Sequence, residues 1–97
     1  MDISIQNKNC NFKAKAVGLL CVKNKLLLVQ MSDAGFFALP GGHIHIGESA
    51  TDAVVREMKE EALLDVKIKA PLYIIENFFD GKMGKCHEIT FCYIVQL

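Results

Sequence analysis

One stretch of the chain, residues 49–62, carries a helical pattern, and strand-like apolar runs lie on both sides of it. A chain of this kind must build its sheet from segments before and after a single principal helix. Before the helix, residues 16–22 (AVGLLCV) and 26–31 (LLLVQM) flank Lys23-Asn24-Lys25, a hairpin signal with an Asn that tolerates left-handed backbone. Residues 32–35 (SDAG) read as a loop and 36–39 (FFAL) as a short strand, and Pro40-Gly41-Gly42 breaks the chain sharply. Ser49 is placed to cap the helix, with Asp52 three residues on. After the helix, DVKIKAPLYIIENFF alternates and then turns continuously apolar, which predicts a strand interrupted near Pro71. Residues 80–85 form a turn, and HEITFCYIVQL returns as a strand antiparallel to the previous one. The class is α+β, a mixed or antiparallel sheet with one principal helix.

Ninety-seven residues leave room for one core, so the chain reads as a single domain over 1–97. A hydrophobic share of 52% against 23% charged excludes a disordered chain. Eleven basic and eleven acidic residues cancel, so there is no basic excess of the kind that binds nucleic acid polymers. The first residues lack the apolar core of a signal peptide, and no apolar run reaches the length of a membrane span. The four cysteines show no CxxC spacing; Cys21 and Cys92 lie in apolar runs, where a free thiol behaves as a small hydrophobe. A cytoplasmic protein with no membrane partner is expected. The sequence stops in an apolar strand pattern at Leu97, which suggests a C-terminally truncated domain, completed or dimerised through an exposed C-terminal strand.

Within the helix, Arg56-Glu57-Met58-Lys59-Glu60-Glu61 sets three glutamates at i, i+3 and i+4. At 3.6 residues per turn, Glu61 falls inside the apolar stripe, between Ala50 and Val54, and Glu57 borders it. Carboxylates so placed repel, and partial burial raises the cost. Spacing alone fits two readings: a solvated face with one awkward Glu, or an oxygen-ligand set for a hard divalent cation. Upstream, Gly41 and Gly42 allow backbone shapes in which an amide or carbonyl faces a ligand, just ahead of a helix N-terminus.

Taken together, Gly42, five residues, Glu48, seven residues and then Arg56-Glu57-Met58-Lys59-Glu60-Glu61 resemble the signature of the Nudix hydrolases, G-x5-E-x7-R-E-U-x-E-E-x-G-U with U aliphatic. Every fixed position from Gly42 to Glu61 is met, and Leu64 fills the last U. The resemblance implies an α/β/α sandwich around a mixed sheet, here lacking the family's C-terminal strand and helix. It implies Mg²⁺- or Mn²⁺-dependent hydrolysis of a nucleoside diphosphate linked to another moiety, so the partner is a small nucleotide. By position, Glu60 and Glu61 would bind metal with the Gly41 carbonyl, and Glu57 would be a further ligand or the general base. Arg56 would orient the glutamates, paired with Glu48. Gly42 would be a substrate-binding position.

Some residues stand outside these assignments. Glu88 and Glu76 are candidates for a ligand from beyond the box, with Glu88 favoured because it starts a strand beside a turn. His43, His45 and His87 read as polar loop groups, since Mg²⁺ prefers oxygen, and His45 stands where many family members carry Glu. Phe36 and Phe37 are candidates to stack a base, as are Phe78 and Phe79, against the ordinary reading of strand aromatics as core. Leu63 occupies the place of the box's usual Gly, whose left-handed geometry ends the helix; it must adopt φ > 0 at a cost or let the helix end differently. The alternative to an enzyme is a Nudix-fold module that binds a nucleotide or partner without hydrolysing it.

Overall fold

The computed structural model describes residues 1–6, 10–31, 35–82 and 84–97. The element order is β1 (Ser4–Gln6), β2 (Asn11–Val22), β3 (Lys25–Leu26), β4 (Val29–Gln30), β5 (Phe37–Ala38), β6 (Gly41–His43), α1 (Ala50–Ala62), β7 (Lys67–Gly81) and β8 (Gly84–Gln96). Most of the loop expected at residues 32–35, and Met83 of the expected turn, lie outside the described residues.

β2 organises the sheet. Its alternation of small and larger residues puts Ala14, Ala16, Gly18 and Leu20 on one buried face. α1 packs there through Ala53, Val54 and Met58, all fully buried. Gly18 permits the close approach, because a Cβ at that position would lie 2.7 Å from Met58 Sδ. One edge of β2 takes β1, β6 and β3 in turn along its length, all antiparallel. The other edge pairs in parallel with β8, from Asn11 opposite Cys86 to Leu20 opposite Val95. β7 then pairs antiparallel with β8, so the order is β1-β2-β8-β7 in a mixed sheet, with β4 and β5 in a separate two-stranded piece. Among the described residues one helix covers one face of this α+β fold. No helix there is long and apolar enough to cross a membrane.

Several expectations hold, and several need correction. Lys23 and Asn24 both take positive φ between β2 and β3, the geometry of a tight hairpin. The partner of β2 is far shorter than residues 26–31, because Val29–Gln30 leaves to pair with Phe37–Ala38. β7 runs through Pro71, with register shifts on either side of it (Ile68/Ala70 and Pro71/Tyr73), since proline cannot donate to the ladder. The expected exposed C-terminal strand is not observed: β8 lies between β2 and β7, hydrogen-bonded on both sides. The apolar run that ends the sequence is a central strand, and the edge on that side of the sheet is β7. Cys92 is buried as a small hydrophobe would be, whereas Cys21 is exposed at the end of β2. Phe36, Phe37 and Phe78 are also exposed rather than core.

The helix ends as the unusual Leu63 requires. Ser49 caps the start, its hydroxyl accepting from the Asp52 amide at 3.1 Å. At the other end Leu63 adopts the left-handed conformation (φ 58, ψ 30), its N–H donating to the Lys59 carbonyl and that of Leu64 to Met58. A left-handed L-residue costs ~1–2 kcal/mol, and Leu63, at 78% exposure, recovers little by burial. Leu63→Gly is therefore expected to stabilise the fold by about 0.5–1 kcal/mol, net of the greater unfolded-state freedom of Gly. Thermal melts should show a rise of several degrees; a lower melting temperature would mean that Leu63 contributes packing that outweighs its strain.

Candidate active site

α1 and the segment before it bring Glu48, Arg56, Glu57, Glu60 and Glu61 together around β6. Arg56 is the hub. Its Nε donates to Glu48 Oε2 at 2.7 Å and its Nη2 to Glu48 Oε1 at 3.0 Å, a two-point clamp. Nη2 also donates to the His43 carbonyl at 3.0 Å, and Nη1 to Glu57 Oε1 at 2.9 Å and, more loosely, to Glu60 at 3.3 Å. Glu48 in turn accepts from the His45 amide at 3.0 Å, which ties the loop to the helix. The bonds to Arg56 hold the Glu48 carboxyl down at about 2, and Glu48 and Glu57 together raise the guanidinium's pKa further.

The two glycines set the carboxylates against the backbone. The Gly41 N–H donates to Glu61 Oε1 at 3.0 Å. A Cβ on Gly42 would lie 2.7 Å from Glu57 Oε1, so only glycine lets that carboxylate rest there. Gly41 has φ 153, and a Cβ on it would meet the Ala16 carbonyl oxygen at 2.2 Å and Val17 Cα at 2.6 Å. Gly41→Ala therefore has to push β6 off β2; a loss of more than about 3 kcal/mol is expected by chemical denaturation, with the Glu61 contact broken. A variant as stable as the parent would show that β6 can move without cost.

Depth in the site differs from the angular reading. Glu57 is the more enclosed, with 15% of its side chain exposed, whereas Glu61 is exposed as a residue and turns its carboxyl end in toward Gly41. The core contact of α1 is made by Ala53, Val54 and Met58, so the stripe opens onto a cleft by the last turn rather than onto the sheet. Burial raises the Glu61 pKa, and the charges of Glu57 and Glu60 add to it, while the Gly41 N–H pulls the other way.

That cleft, about 240 Å³, is walled by Val17, Val29, Met31, Ala38 and Leu39, with Gly41 and Glu61 on one side and Lys15 as its cation. Lys15 was not among the residues singled out from sequence. Its signal was the alternation Lys13-Ala14-Lys15-Ala16, which turns both lysines away from the helix. Lys15 Nζ lies 3.9 Å from Glu88, which brings Glu88 beside the cleft through an ion pair. Glu76 is instead engaged by His87 at 2.9 Å, and His87 stacks on Phe78. His43 and His45 both face Asp2, at 3.6 and 3.3 Å. Burial lowers the His43 pKa, partly opposed by Asp2. Phe36 and Phe37 are exposed and do not wall the cleft.

Among the described residues no three acidic, His or Cys side chains converge tightly enough to enclose an ion as they stand, since Glu57 turns to Arg56 and Glu61 to Gly41. The donor set nonetheless suits a hard divalent cation: all oxygen, with the Glu61 pKa raised by burial and, less strongly, by its charged neighbours. A cation there would relieve the crowding of Glu57, Glu60 and Glu61, of which one guanidinium meets only the first two.

A family model for the NUDIX domain matches residues 12–97. The chain belongs to the Nudix family. It is 45% identical over 77 residues to an ADP-ribose pyrophosphatase of Methanocaldococcus jannaschii, a match covering 76% of this chain and 46% of that protein. A putative ADP-ribose pyrophosphatase of Bacillus subtilis is 34% identical over 65 residues, covering 67% of this chain and 31% of that one. The chain thus spans less than half the length of these curated relatives. Among solved structures, a MutT Nudix hydrolase from Burkholderia pseudomallei superposes with a TM-score of 0.71 at 23% identity, over 89% of this chain and 67% of that one. An ADP-ribose pyrophosphatase from Streptococcus suis gives 0.62 at 27% identity, over 86% and 60%. Family membership and the Nudix fold are thereby established.

Proposed function

We propose that this Nudix chain hydrolyses the pyrophosphate linkage of a nucleoside diphosphate joined to a second moiety, with ADP-ribose the first substrate to test. The observation that carries this reading is the Arg56-centred carboxylate cluster, held against Gly41 and Gly42 beside a cleft that contains Lys15. The choice of first substrate rests on two of the curated relatives, one named an ADP-ribose pyrophosphatase and the other a putative one.

In this reading Glu60, Glu61 and the Gly41 carbonyl would hold Mg²⁺ or Mn²⁺, with Glu88 as a further oxygen donor. When bound, the ion neutralises pyrophosphate charge and lowers the pKa of coordinated water. Arg56 keeps Glu57 in place, and Glu57 takes the proton as a water oxygen attacks phosphorus and the bridging P–O bond breaks. Lys15 faces the phosphates, and the apolar walls of the cleft exclude water from the rest of the substrate.

Incubation with ADP-ribose and Mg²⁺ or Mn²⁺ is expected to yield AMP and ribose 5-phosphate, with no turnover in EDTA. Nucleotide binding without product, across a panel of nucleoside diphosphate derivatives and both metals, would assign the chain to the non-hydrolysing reading. Replacing Lys15 with Ala is expected to raise KM by about tenfold, as loss of one charge contact costs ~1–2 kcal/mol; an unchanged KM would remove Lys15 from the substrate's path.

A further inference from the structure

We infer that the outer edge of β7 is a self-association surface, pairing antiparallel with β7 of a second copy. The sheet order ends at β7, and among the described residues no strand pairs its outer side. Edge strands of stable monomers are usually short, charged or interrupted by proline. β7 is 15 residues long, and its protective features (Lys67, Lys69, Pro71 and both register shifts) all fall at its N-terminal end. From Leu72 to Phe79 the only charge is Glu76.

That stretch leaves Leu72, Tyr73, Ile74, Ile75, Phe78 and Phe79 between 40% and 66% exposed. At roughly 200 Å² for a large side chain this offers about 600 Å² of apolar surface per copy, so two copies together offer about 1,200 Å², comparable with the lower bound of a specific interface. The exposure lies on both faces. Tyr73 and Ile75 stand opposite Cys92 and Thr90 on one face, and Ile74 and Phe78 stand opposite Phe91 and His87 on the other. A helix or a flat protein surface would cover one face; an added strand, apolar on both sides, covers both. β7 itself has that character.

Charge chooses the polarity. Lys67 and Lys69 lie at one end of the strand, Glu76 and Asp80 toward the other. Antiparallel pairing about a two-fold axis sets the basic end of each copy against the acidic end of its partner, whereas parallel pairing would set like charges together.

Sedimentation equilibrium of the whole chain from about 1 to 200 µM, the range in which a small interface dissociates, is expected to show a monomer–dimer equilibrium. Ile74→Lys should weaken it at least tenfold with an unchanged circular dichroism spectrum and melting temperature of the monomer. Lys67→Asp and Asp80→Lys should each weaken it several-fold, and the two together should restore it. A chain monomeric throughout that range would overturn the inference and leave the edge to a strand of different origin. A dimer indifferent to Ile74→Lys, or a double charge swap weaker than either single one, would overturn it equally.

Discussion

Glu61→Gln is expected to cut kcat on a pyrophosphate-linked nucleotide by at least a hundred-fold, on the order seen when one charge-stabilising group is removed from a preorganised site, without lowering the melting temperature. The two readouts separate because the carboxylate serves function at the expense of the fold. Gln keeps an oxygen to accept the Gly41 N–H and removes one of the crowded negative charges. The folded state raises the Glu61 pKa through burial and through the charges of Glu57 and Glu60, so it disfavours the ionised form that a metal ligand requires. A variant that melts at or above the parent's temperature and no longer turns over substrate is the expected result. Turnover within threefold of the parent would take Glu61 out of the metal-binding set, and unfolding would show that the carboxylate is structural.

Glu48→Gln should have the opposite profile, with stability lost first. Glu48 meets Arg56 through both oxygens, and the pair is mostly enclosed, with 16% and 23% of the side chains exposed. Removing the charge leaves Arg56 short of its main partner and loosens the loop held through the His45 amide. A loss of about 2–3 kcal/mol is expected for a partly buried pair broken on one side, or roughly 10–20 °C in a domain of this size. The pH dependence is a sharper test. The Glu48 carboxyl is held at about 2 in the fold against an ordinary value of 4.5, chiefly by Arg56. A depressed carboxyl stabilises fully above its unfolded pKa and loses that contribution as pH falls through its folded one. The gap between parent and variant, measured by urea unfolding, should be constant above about pH 5 and should close as pH falls toward 2. A gap that persists at pH 2 would mean that the variant fails for steric rather than electrostatic reasons.

The local features of the fold were legible because they depend on neighbours in sequence. Ser49 caps α1 through a residue three positions on, and Ala53, Val54 and Met58 recur at helical spacing, so the amphipathic stripe and its boundary follow from the order of residues alone. Pro71 marks the disturbed register of β7 in the same way. The partner of β8 on its second side was not legible. Hairpin signals connect β7 and β8 across a short turn, but pairing β2 with β8 closes a loop over most of the chain, and no local signal encodes it. That pairing moved the exposed edge from the end of the sequence to β7.

For the candidate site the division is similar. Which residues gather there follows from their spacing: Gly42, Glu48, Arg56, Glu57, Glu60 and Glu61 are set where a loop and one helix must bring them together, whatever lies around them. Their environments come from the packing of distant segments. Docking of α1 on β2 enclosed Glu57 more than Glu61, and β6 brought the Gly41 amide to Glu61. The opposite face of β2 supplied Lys15 and, through it, Glu88. The physical reason is that burial and the sign of neighbouring charge depend on which surfaces meet in space, and those surfaces come from segments far apart in the chain. Leu63 belongs to both accounts: its place in the box foretold a conflict at the helix end, and only the folded chain showed it resolved by left-handed backbone.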